Sequence, residues 1–307
     1  MSLNEVYITN TSSFFPNDPV SNDEMEQYLG LINDAPSRSK AIVLRNNGIK
    51  RRFYALNKEG KSTHTNAEMT ALAVKDLFKD NPEDIKTMEL LSTGTSTPDQ
   101  LMPSHGAMVH GWLPETNPVE VVSPSGVCCA GMHAFKYAYL ATKAGDVQRS
   151  VATGSERFSV SLLSSNFEDE AKRLKALADD PYIGFEKEFL RWMLSDGAAA
   201  FLLSNKKNEK GLSLKVEWIE GFSYANELEA CMYQGGDKLK DGTFKSYQDY
   251  KPEELMSQSI MSIKQDVKLL GKNIVLYGGY GVKNSLAKHG VKSEEIDYFL
   301  PHMSSEF

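Results

Sequence analysis

The residues from Val119 to Leu140 constrain the fold more than any other stretch of the chain. An apolar run, Val119-Glu-Val-Val122, leads into Ser123-Pro-Ser-Gly-Val-Cys-Cys-Ala-Gly131, and helix-forming residues then continue from Met132 to Leu140. A strand, a turn of small residues and a helix make an elbow, and the cysteines sit where the helix starts. Backbone N–H groups in a first helical turn have no intrahelical acceptor, and with the positive end of the helix dipole they stabilise negative charge on sulfur. Gly131 leaves room for an incoming acyl group, and the small residues let the helix pack closely on its strand. A thiol so placed suits thioester chemistry. On the residues alone, a structural role fits Cys129 equally well, and Cys128 reads as a small buried neighbour, the usual fate of a free cysteine.

The flanking sequence alternates strands and helices. Glu5 to Asn10 reads as a strand and Asp23 to Ile32 as a helix. Thr65 and Glu68 form a capping box, and Met69, Leu72, Ala73 and Leu77 then recur at helical spacing until Asn81-Pro82 stops the helix. Met88 to Ser92, Val119 to Val122, Arg149 to Gly154 and the apolar run after Asp196-Gly197 read as short strands, with Cys129 to Lys143 as the helix behind the elbow. This order predicts a layered α/β fold. Residues 156–195 read as a charged helical insertion, 205–211 as an exposed hairpin turn and 233–251 as a long polar loop. Pro82-Glu-Asp-Ile-Lys-Thr-Met-Glu-Leu-Leu91 is echoed by Lys292-Ser-Glu-Glu-Ile-Asp-Tyr-Phe-Leu-Pro301. Each carries an acidic pair and then a short apolar run, which suggests two similar halves, residues 1–204 and 205–307.

Composition narrows the function classes. The 307 residues, 41% hydrophobic and 24% charged, suffice for a sizeable core. No apolar run approaches the roughly 20 residues of a membrane span, and Met1-Ser-Leu-Asn-Glu-Val reads without a secretory leader. Three cysteines, two of them adjacent, give no disulfide framework and point to reduced thiols in the cytoplasm. The net charge of −7, without a cluster of lysine and arginine among aromatics, argues against nucleic-acid binding. The six histidines are scattered, so no metal site is expected. Lys283, Lys288 and Lys292 flank one predicted helix. They read either as a solvated helix face or as a patch for an acidic carrier protein.

Six segments, in order, carry a resemblance: Asn47-Gly-Ile-Lys-Arg-Arg52, Thr95-Ser-Thr-Pro-Asp99, Met102-Pro-Ser104, Cys129-Ala-Gly131, Ser195-Asp-Gly-Ala-Ala199 and Leu300-Pro-His302. Together they resemble the β-ketoacyl-acyl-carrier-protein synthase III group of the thiolase-fold condensing enzymes. The resemblance implies a thiolase-like layered α/β fold of two similar halves and a homodimer acting on acyl-carrier protein. It implies no cofactor beyond the acyl-coenzyme A or acyl-carrier-protein thioesters that serve as substrates. Cys129 matches the acyl-accepting nucleophile, its Ala-Gly successor setting it apart from Cys128. Gly131 and the Cys129 backbone N–H would support an oxyanion, and Asp196 would brace the loop beneath the site.

His302 matches the catalytic histidine. The apolar run Ile296 to Leu300 reads as a buried strand ended by Pro301, which would place the imidazole at the C-terminal edge of a sheet, where α/β sites form. His133 is the near alternative, but the elbow helix would aim it away from the thiol. The implied reaction is a decarboxylative Claisen condensation of the acyl group with a malonyl-type thioester. A hydroxymethylglutaryl-coenzyme A synthase-like acyltransferase and a non-catalytic subunit of a condensing heterodimer are the alternatives.

Three departures qualify the match. Ile42 and Asn46 stand where coenzyme A-loading members often have a Trp and an Arg, with Arg45 beside the second as a substitute. That shift favours a secondary-metabolite condensing enzyme. Met102 replaces a Phe that lines the acyl pocket, and its adaptable side chain suits a longer or branched acyl chain. The family's asparagine in a Gly-Asn segment and its later Gly-rich loop have no counterpart before Phe307. The second half is therefore expected to be incomplete in this chain, with the third catalytic residue beyond residue 307.

Overall fold

The structure, a computed structural model, describes residues 3–176 and 184–302. The chain forms two compact units, each assembled from separated stretches. One comprises Met1–Ser21, Arg51–Val160 and Ser195–Ile219, the other Asn22–Lys50, Ser161–Leu194 and Glu220–Phe307.

The first unit is built on a six-stranded sheet in the order Glu120–Val122, Leu90–Gly94, Arg149–Glu156, Gly197–Ser204, Tyr7–Phe14, Leu214–Lys215. The first three strands are parallel and the remaining pairings antiparallel. Successive side chains on a strand point to opposite faces, and the apolar pairs here use both. Leu91, Val151 and Leu202 pack with Met69, Ala73, Val74 and Val109, from helices Asn66–Leu77 and His105–Gly111. Their neighbours Leu90, Ala152 and Leu203 pack on the opposite face with Phe135, Ala138 and Tyr139 of the elbow helix, Ala130–Ala144. Helices thus cover both faces of the sheet, as the alternation of strands and helices predicts. The capping box is present: Thr65 Oγ1 accepts from Glu68 N–H at 3.1 Å, and Glu68 accepts from Thr65 N–H at 3.3 Å. A cap of this kind contributes about 1 kcal/mol.

Several elements differ from expectation, among them the helix after Thr65, which ends at Leu77 rather than at Asn81-Pro82. The first strand runs from Tyr7 to Phe14, well past Asn10. Polar Asn10 to Ser13 carry no hydrophobic alternation, but a ladder to Ala198–Leu202 holds them extended. The helix expected over Asp23 to Ile32 spans only Met25–Leu29, because Gly30 turns to φ +74°. The expected loop 233–251 contains a hairpin, Gly236–Lys238 against Phe244–Ser246, turned at Gly242 with φ +84°.

In the second unit, Trp192 is fully buried with the Arg191 guanidinium 4.9 Å from its ring. Arg191 donates to the carbonyls of Leu162 and Leu29, each at 2.8 Å, and of Gly30 at 2.6 Å. Helices Glu168–Ala176 and Phe185–Arg191 lie in the stretch read as a helical insertion, of which residues 177–183 fall outside the described residues. Lys187 on the second helix bonds both carboxylate oxygens of Glu170 on the first, at 2.8 and 2.9 Å. The long helix Val267–His289 buries none of its side chains. Among the described residues, no helix is long and apolar enough to cross a membrane, and no second sheet of comparable size follows Ser204.

Candidate active site

Cys129 immediately precedes the elbow helix, at φ −91° and ψ 0°. The start of that helix rests on the ends of two parallel strands through glycines. A Cβ on Gly94 would lie 2.1 Å from the Ala130 carbonyl oxygen, and one on Gly131 would lie 3.1 Å from Gly154 Cα. A parallel bridge from Thr95 to Ser125 ties the approach to the elbow onto the sheet. Ala130 is buried, whereas both Cys128 and Cys129 are exposed. This corrects the reading of Cys128 as a buried neighbour: residues 125–129 all lie at the surface, and packing closes only where the helix begins. Accessibility therefore does not separate the two thiols; position on the helix does. None of the three cysteines is in a disulfide.

Asp196 is buried just before the strand Gly197–Ser204. Its carboxylate accepts from Ala55 N–H at 2.7 Å, Ser159 N–H at 2.9 Å and the Ser159 hydroxyl at 2.5 Å. Its own N–H donates to the Phe53 carbonyl at 2.8 Å. The side chain thus clamps residues 53–55 and 158–159 to the start of the strand. Burial pushes the carboxyl above its ordinary range, against the pull of these hydrogen bonds. Asp196→Asn turns one acceptor into a donor facing donors. It is expected to cost about 3 kcal/mol, read by urea unfolding; a loss under about 1 kcal/mol would refute the clamp.

The candidate residues divide between the units. Met102, Cys129, Gly131 and Asp196 belong to the first. Gly131 meets Gly154, on the strand whose terminal Glu156 pairs with Gly197, so Gly131 and Asp196 share one end of the sheet. Met102 is 83% exposed beside the equally exposed Leu101. Arg45, Asn46, Lys283, Lys288 and His302 belong to the second unit. Arg45 and Asn46 are exposed on helix Lys40–Asn47, and Lys283 is exposed on the long helix. Lys288 is 2.9 Å from Glu220, which also takes His289 at 3.0 Å.

The buried strand expected over Ile296 to Leu300 is not present. Both echoed segments form a 3-10 turn, over Pro82–Thr87 and Ser293–Glu295. The first continues into a fully buried strand because strands lie on either side of it. The second continues as irregular chain with Leu300 90% exposed, since the described residues offer it no partner strand. His302 is exposed at its end, not held at a sheet edge. Residues 303–307 of the expected second half lie outside the described residues.

The partners of three polar groups of the first unit, Glu156, Asp99 and His105, were not legible in the sequence. Glu156, at the end of its strand, accepts from Ser96 N–H at 2.9 Å, the Ser96 hydroxyl at 2.7 Å and the Thr97 hydroxyl at 2.8 Å. Asp99 accepts from the N–H groups of Asn66 and Ala67 at 2.9 and 2.8 Å and pairs with Arg157 at 2.8 Å. The Thr-Ser-Thr-Pro-Asp motif thereby fastens a helix N-terminus. His105, buried, has Nε2 3.2 Å from the Ser155 hydroxyl. The signal for Glu156 was a polar residue at the end of an apolar strand, which marks loops as often as sites.

Burial lowers the His105 imidazole from 6.5 to about 4, against a small opposing pull from Asp99. With the folded value below the unfolded one, the stability it contributes is present above pH 6.5. It is lost as pH falls towards 4, because the unfolded chain protonates first. The full window corresponds to about 3 kcal/mol. Glu156 and Asp196, raised by burial, act in the opposite sense. The check is therefore the difference between the parent and His105→Gln in urea unfolding at pH 7 and pH 4.5. The parent should lose more stability than the variant, and equal losses would overturn the assignment.

Among the described residues, no three His, Cys, Asp or Glu side chains gather as a metal site. No protein-family model matches the chain. It is 23% identical over 299 residues to a β-ketoacyl-acyl-carrier-protein synthase III of Lactococcus lactis subsp. cremoris, covering 97% of this chain and 76% of that protein. The structure superposes at TM-score 0.66 on a 3-oxoacyl-acyl-carrier-protein synthase III of Pseudomonas aeruginosa PAO1, with 16% identity over 98% of this chain and 77% of that one. It reaches the same score and identity on AbyA1, a tetronic acid condensing enzyme, over 95% and 76%. The fold and the ordered motifs of the chain resemble those of the thiolase-fold condensing enzymes. Among them it resembles β-ketoacyl-acyl-carrier-protein synthase III, the name its curated relatives bear.

Proposed function

We propose that the chain carries the acyl-accepting site of a β-ketoacyl synthase, an acyltransferase that forms carbon–carbon bonds. The observation that carries the reading is an exposed cysteine, Cys129, at the N-terminus of a 15-residue helix whose start is packed backbone to backbone on the sheet. Its sulfur attacks the carbonyl of an acyl thioester, the donor's carbon–sulfur bond breaks, and the donor thiol leaves with a proton. A malonyl-type thioester on acyl-carrier protein follows. Its bond to the carboxylate breaks, CO2 departs, and the electron pair forms an enolate. The enolate attacks the acyl carbonyl and expels the Cys129 sulfur.

In this reading the Cys129 N–H donates to the oxyanion, and one such donor lowers the barrier by roughly 3 kcal/mol. Gly131 keeps the approach open and Asp196 holds the loop beneath. His302, with a further hydrogen-bond donor, stabilises the enolate. Arg45, Asn46, Lys283 and Lys288 contact the donor's carrier, and Met102 contacts the acyl chain. The reading includes a homodimer, acyl-carrier protein as partner and a cytoplasmic site of action; no step calls on a cofactor beyond the thioester substrates.

The test is intact-mass and peptide mapping after incubation with a panel of acyl-coenzyme A and acyl-carrier-protein thioesters. One acyl group on Cys129 is the expected result. Acylation of Cys128 or Cys231 instead, or of none with every donor, would sink the reading.

A further inference from the structure

We propose that Glu156 is a positioning residue for the Cys129 nucleophile, acting through the Thr95–Thr97 loop; the inference rests on the proposed role of Cys129. At the start of the elbow the Ser123 hydroxyl accepts from Gly106 N–H at 2.8 Å. Residues 125–129 are exposed, and Gly126 sits at φ +154°. Two backbone contacts hold it: the Thr95–Ser125 bridge and the seat of Ala130 and Gly131 on Gly94. Both depend on where residues 94–97 lie, immediately after their strand ends.

Glu156 decides that position. Its two oxygens gather the Ser96 N–H, the Ser96 hydroxyl and the Thr97 hydroxyl within 2.9 Å, and the Thr95 hydroxyl lies at 3.5 Å. Every one of these groups is a donor, so only a side chain with two acceptor atoms closes the loop on this geometry. Asn66 secures the far side, donating to Thr95 Oγ1 at 2.9 Å and to the Thr97 carbonyl at 2.8 Å, and Arg157 N–H reaches Thr97 Oγ1 at 2.8 Å. Burial pushes the Glu156 carboxyl up, and a buried group of this kind has a cost that its bonds must offset. The arrangement links a half-buried acid on one strand to the nucleophile's elbow through hydrogen bonds and backbone pairing. A displacement of about 1 Å at such an elbow reduces reactivity by as much as 100-fold.

The experiment compares iodoacetamide alkylation of Cys129 and Cys128 in one sample, by peptide mass spectrometry, for the parent and for Glu156→Ala, Glu156→Gln and Thr97→Val. In the parent, Cys129 should react faster than Cys128; equal rates would fail the nucleophile reading itself. Glu156→Ala should cut the Cys129-to-Cys128 ratio at least about 10-fold. Glu156→Gln, which keeps one acceptor, should recover part of it, and Thr97→Val should give an intermediate loss. A purely structural Glu156 would lower the unfolding midpoint and leave the ratio unchanged well below that temperature. That result, with the parent preference intact, would overturn the inference. If Glu156→Ala does not fold, the ratio in Thr97→Val decides in the same way.

Discussion

Cys129→Ala is expected to abolish acyl-enzyme formation and to lower condensing activity by at least about 10³-fold, since it removes the atom that carries the intermediate. The variant should fold as the parent does. Cys129 is exposed and, at the helix N-cap, its side chain makes no capping hydrogen bond; exposed substitutions that remove no such bond usually stay within about 0.5 kcal/mol. Loss of activity with an unchanged urea midpoint thus separates chemistry from stability. Cys128→Ala is the control. It sits one residue earlier, equally exposed, and should keep both acylation and turnover. Activity surviving in Cys129→Ala, or lost only in Cys128→Ala, would remove Cys129 from the nucleophile's role.

Gly94→Ala should have the largest effect on stability. The new Cβ would lie 2.1 Å from the Ala130 carbonyl oxygen, 2.3 Å from its carbon and 2.6 Å from Gly131 nitrogen. These are backbone atoms of the elbow helix, so no side chain can swing aside. The helix must retreat by about 1 Å to restore ordinary contact, and it takes Phe135, Ala138 and Tyr139 with it out of register with Leu90, Ala152 and Leu203. Overpacking of this kind costs about 3 kcal/mol, a fall in Tm of about 5 °C for a chain of this size. Gly111→Ala is the contrast, because a Cβ there meets nothing within 4 Å; it should be neutral or slightly stabilising. Equal Tm values for Gly94→Ala and the parent would show that the helix start is not seated as described.

The elbow was legible because its signals are local. A capping pattern located the start of the helix Asn66–Leu77 at its Thr65 cap, though not its end, and an apolar run meeting small residues located the elbow helix. The bracing role of Asp196 was legible only through the resemblance carried by Ser195-Asp-Gly-Ala-Ala199. Its partners, Ala55 and Ser159, were not, since they lie far away in the chain. Glu156 and the partner of His105 were missed for the same reason: these contacts arise from Ser96, Thr97 and Ser155, brought close by strand pairing and helix packing.

Local pattern by itself determined the layered α/β class, the position of Cys129 at a helix start and the family that the ordered motifs resemble. Tertiary structure decided what local pattern leaves open. It made the polar residues after Asn10 a strand, because a ladder can hold what hydrophobicity does not. It left Ile296 to Leu300 unpaired and exposed, although they read like Met88 to Leu91, because a strand exists only where a neighbour completes its hydrogen bonds. It also put both cysteines of the elbow at the surface, so the distinction between them comes from the helix that follows. Side-chain sequence sets which surfaces seek burial; which of them find it depends on backbone partners far along the chain.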